Sequence, residues 1–193
     1  RRAAPSPTSS SSRATTVRSR VPERLFGIRA AQPRDLAALG AVERSAAGLF
    51  RAVGLGWIAD SPTVPMEALE RYRAGGALWV GAGADDRPAG FLAATALDGA
   101  LYIDELSVAL EHQRRGVGGA LLQRAIEHAR QAGYPAVMLN TYRDIPWNAP
   151  FYARRGFVEI AGEAVPPGLR ERLARDALHG HDPARRCGMI LRL

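Results

Sequence analysis

Two stretches of this chain bring together residue types suited to chemistry. The first is Gln113-Arg114-Arg115-Gly116-Val117-Gly118-Gly119-Ala120, between the apolar run Leu101 to Val108 and an amphipathic run reaching Ala132. At a strand-to-helix junction, free backbone N–H groups and the positive end of the helix dipole converge, and glycines let an anion approach the main chain. Two arginines in the same turn add charge, so the stretch reads as a phosphate pocket. A nucleoside-triphosphate loop is excluded because it requires a lysine and the chain has none. A dinucleotide fingerprint is excluded because Leu121 stands where its third glycine would be. The second stretch is the run just before this loop, where Asp104 and Glu105 stand side by side among Leu101, Tyr102, Ile103, Leu106, Ser107 and Val108. Carboxylates in an apolar strand are costly unless satisfied, so they need a reason.

The elements that must position these residues follow from periodicity and punctuation. A strand is expected over Leu25 to Ala31. A helix begins at Gln32-Pro33-Arg34-Asp35, with the acid near its positive end, and its apolar residues Leu36, Leu39, Val42 and Ala46 recur at helical spacing to about Ala47. Pro65-Met66-Glu67 opens a shorter helix ending at Gly75-Gly76. Ala77 to Ala82, Ala89 to Ala96 and Ala100 to Val108, joined by short Asp- and Gly-containing turns, predict an antiparallel meander. After the glycine loop, Leu121, Leu122, Ala125, Ile126 and Ala129 share one helix face, Gly133 ends that helix, and Ala136 to Thr141 forms a strand parallel to the one before it. A short helix over Trp147 to Arg155, a strand over Phe157 to Ile160, a helix over Gly168 to Leu178 and a final strand over Cys187 to Leu193 complete the chain. The reading is α/β: a mixed, mostly antiparallel twisted sheet flanked by helices in three layers, α-β-α.

Charge and composition narrow the function classes. The formal net charge is +7 over 193 residues, but Arg1, Arg2, Arg13, Arg18 and Arg20 lie in an acid-free leader, and the remainder carries +2. That weak balance argues against nucleic acid as partner. Residues 1–22, rich in Ser, Thr, Pro and Arg, read as a disordered basic tail, and residues 23–193 as one catalytic domain. No apolar run approaches the ~18 residues of a membrane span. A single cysteine, Cys187, and four scattered histidines offer neither a disulfide nor metal-ligand spacing, and the composition suits a cytoplasmic protein.

The pattern [Gln/Arg]-x-x-Gly-x-Gly, opening a helix directly after a strand, resembles the acetyl-coenzyme A pyrophosphate loop of the GNAT superfamily of N-acyltransferases. Asn148-Ala149-Pro150-Phe151-Tyr152-Ala153-Arg154-Arg155-Gly156-Phe157 is similar to that family's later motif, a short helix carrying a tyrosine and ending in Gly-Phe before a strand. The resemblance covers about residues 25–193 and implies the GNAT fold. It also implies an acetyl-CoA-dependent N-acetyltransferase working through a ternary complex with the amine. Such chemistry needs a neutral amine, a hydrogen-bond donor for the developing oxyanion and a proton for the departing thiolate.

Carried over residue by residue, the resemblance puts the backbone of Leu106, Ser107 and Val108 along the thioester. Gln113, Arg114, Arg115, Gly116, Val117, Gly118, Gly119 and Ala120 fall around the phosphates, and Tyr152 near the sulfur as acid. Glu105 is favoured as the base, with Asp104 second or binding the amine. Alternation along a strand predicts opposite faces for the two, unless a bulge intervenes. A carboxylate that caps backbone N–H groups or pairs with arginine is the competing role for each. Asn148 suits either a cofactor contact or a helix cap. Ile145-Pro146-Trp147 stands where many members place an asparagine. Glu43, Phe50, Tyr142 and Trp147, with Trp57 and Asp60, are candidates for the amine pocket, whereas His179 and His181 read as solvent-facing. The acceptor expected is a small-molecule amine; alternatives are the N-terminus of a protein or peptide, and a silent acyl-CoA-binding sensor. A homodimer is compatible with the sequence.

Overall fold

The computed structural model describes residues 26–193; the tail reading for residues 1–22 lies outside the described residues. Seven strands form one sheet: β1 (Gly27–Ala30), β2 (Leu78–Ala82), β3 (Pro88–Leu97), β4 (Ala100–Val108), β5 (Ala136–Tyr142), β6 (Val158–Ile160) and β7 (Arg186–Arg192), in the order β1-β2-β3-β4-β5-β7-β6. All neighbours are antiparallel except β4 and β5, which run parallel because a helix carries the chain between them. The mixed three-layer architecture expected from the sequence is therefore present. The terminal strand inserts between β5 and β6, an order that no local pattern announces.

The helices are α1 (Leu36–Ala47), α2 (Gly56–Ala59), α3 (Met66–Ala74), α4 (Val117–Gln131), α5 (Ala149–Ala153) and α6 (Pro167–Leu178). α4 lays Leu121, Leu122, Ala125, Ile126 and Ala129 on one face of the sheet, against Trp79, Leu92, Leu101, Ile103 and Val137. On the other face α1 and α3 bury Leu36, Leu39, Val42 and Leu69 against Leu78, Val80, Phe91 and Ala93. α6 packs Leu169 beside Tyr102, Met138 and Ile190 on that same side. Among the described residues no helix is long and apolar enough to cross a membrane.

Three local outcomes differ from the expectations. Asp35 is not a free acid at a helix start: it is 2% exposed, takes the Arg29 guanidinium at 2.6 and 3.0 Å and accepts the Gln32 N–H at 2.7 Å, locking β1 to the start of α1. The helix expected over Trp147 to Arg155 is shorter, Ala149–Ala153, because Asn148 has non-helical φ −109° and ψ −116°. Between α1 and α3 the chain adds a 3-10 segment, Gly48–Val53, and α2, neither of which shows a sequence period.

Leu122 is fully buried at the α4–sheet contact. Leu122→Ala should lower unfolding stability by about 2–5 kcal/mol through lost burial and the cavity left behind, measured as a shift of the urea midpoint at unchanged slope.

Candidate active site

The parallel pairing of β4 with β5 lasts for two residue pairs, Leu101 with Val137 and Tyr102 with Met138. Beyond them β4 continues to Val108 and β5 to Tyr142, with no pairing between the two. The strands splay, and the β4 edge from Ile103 onward faces a cavity of about 1190 Å³ instead of a neighbour. Backbone groups on such an edge must be satisfied by water or by a ligand. Leu106, Ser107 and Val108 all line this cavity, and the Val108 carbonyl accepts from Gln113 Nε2 at 2.9 Å, which ties the end of the strand to the glycine loop.

That loop ends at Gly116, whose φ of +87° is left-handed and natural for glycine; Arg114 is also left-handed at +57°. α4 then begins with no side chain capping it. The first turn, Val117 to Gly119, offers N–H groups with no intrahelical partner. Ala120 already donates to the Gly116 carbonyl at 3.0 Å. Arg155 closes the cradle: its guanidinium stacks on the Phe151 ring at 3.8 Å and donates to the Phe151 carbonyl at 2.9 Å. A Cβ on Gly119 would come within 2.8 Å of Arg155 Nη2, so this glycine is what lets the cation approach the helix end. Burial and the neighbouring Arg154 lower the Arg155 pKa, and it forms no ion pair among the described residues. An uncapped helix start beside an unpaired cation fits a phosphorylated ligand. Gln113, Arg114, Gly116, Val117, Gly118 and Gly119 line the cavity, whereas Arg115 and Ala120 do not.

A β-bulge decides where the two carboxylates point. Ala93 pairs with Glu105 but Ala94 with Ile103, so Asp104 is the extra residue. Ile103 and Leu106 both belong to the α4-side core. Asp104 and Glu105 between them therefore project together from the opposite face, not from opposite faces as simple alternation predicts. Their surroundings differ. Asp104 accepts from Thr95 Oγ1 and from Arg172 Nη1, each at 2.8 Å, so both its oxygens are engaged. Glu105 accepts from Ser107 Oγ at 2.7 Å and lines the cavity without an ion pair among the described residues. Burial raises its pKa, against the opposing pull of Ser107 and the Leu106 N–H.

Across the cavity stands Glu43 of α1, which accepts the Val64 N–H at 2.9 Å. Burial and repulsion from Glu105 push its carboxyl up to about 7. Burial thus raises both carboxyls above the ordinary carboxylate range. Tyr152, on α5, is buried and lines the same cavity, and its hydroxyl finds no protein partner among the described residues. Burial and the Glu105 charge raise its pKa strongly, so the phenol stays protonated. Asn148 lines the cavity too, and its side chain caps nothing.

The 3-10 segment and α2 roof the other half of the cavity. Phe50 packs against Tyr142 and Trp147, ring centroids 6.0 Å from each, and Trp57 meets His181 at 4.7 Å. His181 is not solvent-facing: it is half-buried and shares a 2.7 Å hydrogen bond with the Tyr142 hydroxyl. Asp60 lies outside the cavity, paired with Arg51 at 2.5 Å. Sequence reasoning missed Arg172, Asp176, His181 and Arg186, which line the cavity from α6, β7 and the loop between them. Their type carried no signal in an arginine-rich chain.

A family model described as acetyltransferase (GNAT) family matches residues 47–157. Streptothricin acetyltransferase A of Bacillus subtilis (strain 168) is 39% identical over 62 residues, which are 32% of this chain and 35% of that protein. The chain thus matches about a third of the length of this curated relative. Among solved structures, N-acetylglutamate synthase from Neisseria gonorrhoeae, complexed with coenzyme A and N-acetyl-glutamate, is similar at a TM-score of 0.65 and 22% identity, covering 89% of this chain and 36% of that one. A GNAT family acetyltransferase from Brucella melitensis in complex with acetyl-CoA is similar at a TM-score of 0.53 and 25% identity, covering 76% and 94%.

The Glu43 carboxyl gives the fold a pH signature. Its pKa rises from the ordinary 4.5 to about 7 on folding, so between those values the folded protein holds a proton that the unfolded chain releases. Stability from this group is full below that window and lost as pH rises through it. The stability difference between wild type and Glu43→Gln should therefore shift in favour of the variant from pH 4.5 to 7.5, read as urea midpoints at each pH.

Proposed function

The chain belongs to the acetyltransferase (GNAT) family, and from that premise we propose that it transfers an acetyl group from acetyl-CoA to a primary amine of a small molecule. The observation that carries this reading is the splay of β4 from β5, with an uncapped α4 and unpaired Arg155 at one end of the cavity and Glu105, Glu43 and Tyr152 further in. Gln113, Arg114, Gly116 to Gly119 and Arg155 would hold the phosphates, and the open β4 edge at Leu106 to Val108 the arm that follows. When bound, acetyl-CoA supplies an acyl group activated as a thioester, and transfer makes an amide and releases the free thiol.

The remaining roles belong to this chain. Amines reach the site as ammonium ions, so a base must take a proton first. Glu105 is that base, because its carboxylate is held by Ser107 and free of arginine, whereas Asp104 is committed to Arg172 and Thr95. Glu43 shares the proton load and gives the ammonium a second carboxyl. The Tyr152 hydroxyl lines the cavity in its protonated form, so it is the group placed to hydrogen-bond the departing sulfur and supply it with a proton. The free N–H groups of the β4 edge are the donors for a developing oxyanion.

A small acceptor is favoured over a peptide N-terminus by the roof. An extended peptide needs an open groove beside the splay, and Phe50 crosses that space to reach Tyr142 and Trp147, while Trp57 reaches His181.

Three measurements test the roles. Thiol release from acetyl-CoA in the presence of an amine panel should be enzyme-dependent. With the best amine, Glu105→Gln should lower kcat by roughly 10²- to 10⁴-fold, the range of a lost general base. An unchanged rate would remove Glu105 from the chemistry. Arg155→Ala should weaken CoA binding by about tenfold, the loss of one charge-assisted contact, in calorimetric titration.

A further inference from the structure

The acceptor half of the cavity is built from aromatic rings and from charges of which half are paired with one another. Phe50, Trp57 and Trp147 come from three separate places in the chain and line one space. Phe50 and Trp147 are half-buried, and Trp57 is 39% exposed, so each keeps ring surface free. Tyr142 stands behind them at 1% exposure as a fixed wall, held by Phe50, by His181 and by Arg186 at 4.8 Å over its ring. Trp57, His181, Tyr142, Phe50 and Trp147 thus form one continuous run of ring contacts, and such a wall with surface to spare is suited to a flat apolar body.

The charge pattern limits what that body carries. Four acids line the cavity, Glu43, Asp104, Glu105 and Asp176. Asp104 is paired with Arg172 at 2.8 Å, and Asp176 with Arg186 at 2.6 Å while also accepting the Asn140 amide at 2.5 Å. Glu43 and Glu105 are left, the two lining carboxyls with no ion pair among the described residues. Arg44 and Arg175 also line the cavity and form no ion pair among the described residues, so additional ammonium groups would meet repulsion. A single ammonium can sit between the two free carboxyls, whereas a polycation also meets the two free guanidiniums.

We infer that the acceptor is an arylalkylamine: a primary amine with a single ammonium group on an aromatic body, its ring held among Phe50, Trp57 and Trp147 and its nitrogen directed at Glu43 and Glu105. This rests on the acetyl-transfer reading for the reaction itself, whereas the ring-binding space stands on the geometry. A polyamine or an aminoglycoside brings more positive charge than the free carboxyls match. An aliphatic monoamine satisfies the carboxyls but leaves the rings unfilled.

The test compares 2-phenylethylamine and tryptamine with hexylamine, spermidine and kanamycin, using the full chain. Thiol release should give kcat/KM for the aromatic amines at least ~10-fold above the others, the scale on which an apolar pocket discriminates. Equal or better turnover of spermidine, kanamycin or hexylamine overturns the inference. Binding is measured separately, as quenching of tryptophan fluorescence by 2-phenylethylamine with CoA present. Saturable quenching that weakens about tenfold in Trp57→Ala and recovers in Trp57→Phe supports the ring site. Absence of saturable quenching in the wild type overturns it. Saturable binding without thiol release from any amine supports the ring site and instead overturns the acetyl-transfer reading.

Discussion

Everything in this molecule depends on two strands that pair for two residues and then part. A parallel pair inside a sheet normally continues until one strand ends, because an unpaired backbone edge must find other partners. Here β4 and β5 separate beyond Tyr102 and Met138, and the β4 edge faces an enclosed cleft. The rest of the fold keeps that cleft open. The core under α4 spans β4, β5 and β7 on one face and α6 packs against Tyr102, Met138 and Ile190 on the other, so both faces are covered where the strands part. The bulge at Asp104 belongs to the same design: one extra residue turns two carboxylates to the face away from α4 at the point where the strand leaves its parallel neighbour.

The two ends of the cleft treat charge in opposite ways. At the glycine loop, cationic and N–H donors are left without partners, which is the state an anion-binding site needs before its ligand arrives. At the other end half of the charges are neutralised in place. Arg172 and Arg186 are paired with Asp104 and Asp176, and Tyr102 donates to Asn140, which passes the contact on to Asp176. This network holds α6, β5 and β7 at fixed spacing around the site. It also leaves Glu43 and Glu105 as the cavity carboxyls with no ion pair among the described residues, and burial with the Glu105 charge pushes the Glu43 carboxyl up to about 7.

Much of this was legible before the fold. Local patterns are short-range physics, and they located the strands and the longer helices within a few residues: the meander, the amphipathic face of α4 with Leu121, Leu122, Ala125, Ile126 and Ala129, and the parallel return through β5. The glycine loop opening α4 was legible for the same reason, since a helix start is a local structure. The roof was not. Gly48–Val53 and Gly56–Ala59 contain glycines and no repeat of apolar positions, and they are ordered by rings packed against Tyr142, Trp147 and His181, residues about 90 to 130 positions away in the chain.

The sequence by itself determined which residue types stood ready: a glycine loop at a strand-to-helix junction, adjacent carboxylates in an apolar strand, a tyrosine before Gly-Phe. Tertiary structure decided how they divide the work. Asp104 and Glu105 are neighbours with the same chemistry, and adjacency cannot tell them apart. Arg172, 68 positions from Asp104, pairs with one; the other accepts from Ser107 and forms no ion pair among the described residues. The physical reason is that a carboxylate's function is set by the charges and donors within a few ångströms of it, and in this fold most of those arrive from parts of the chain that sequence patterns cannot bring together.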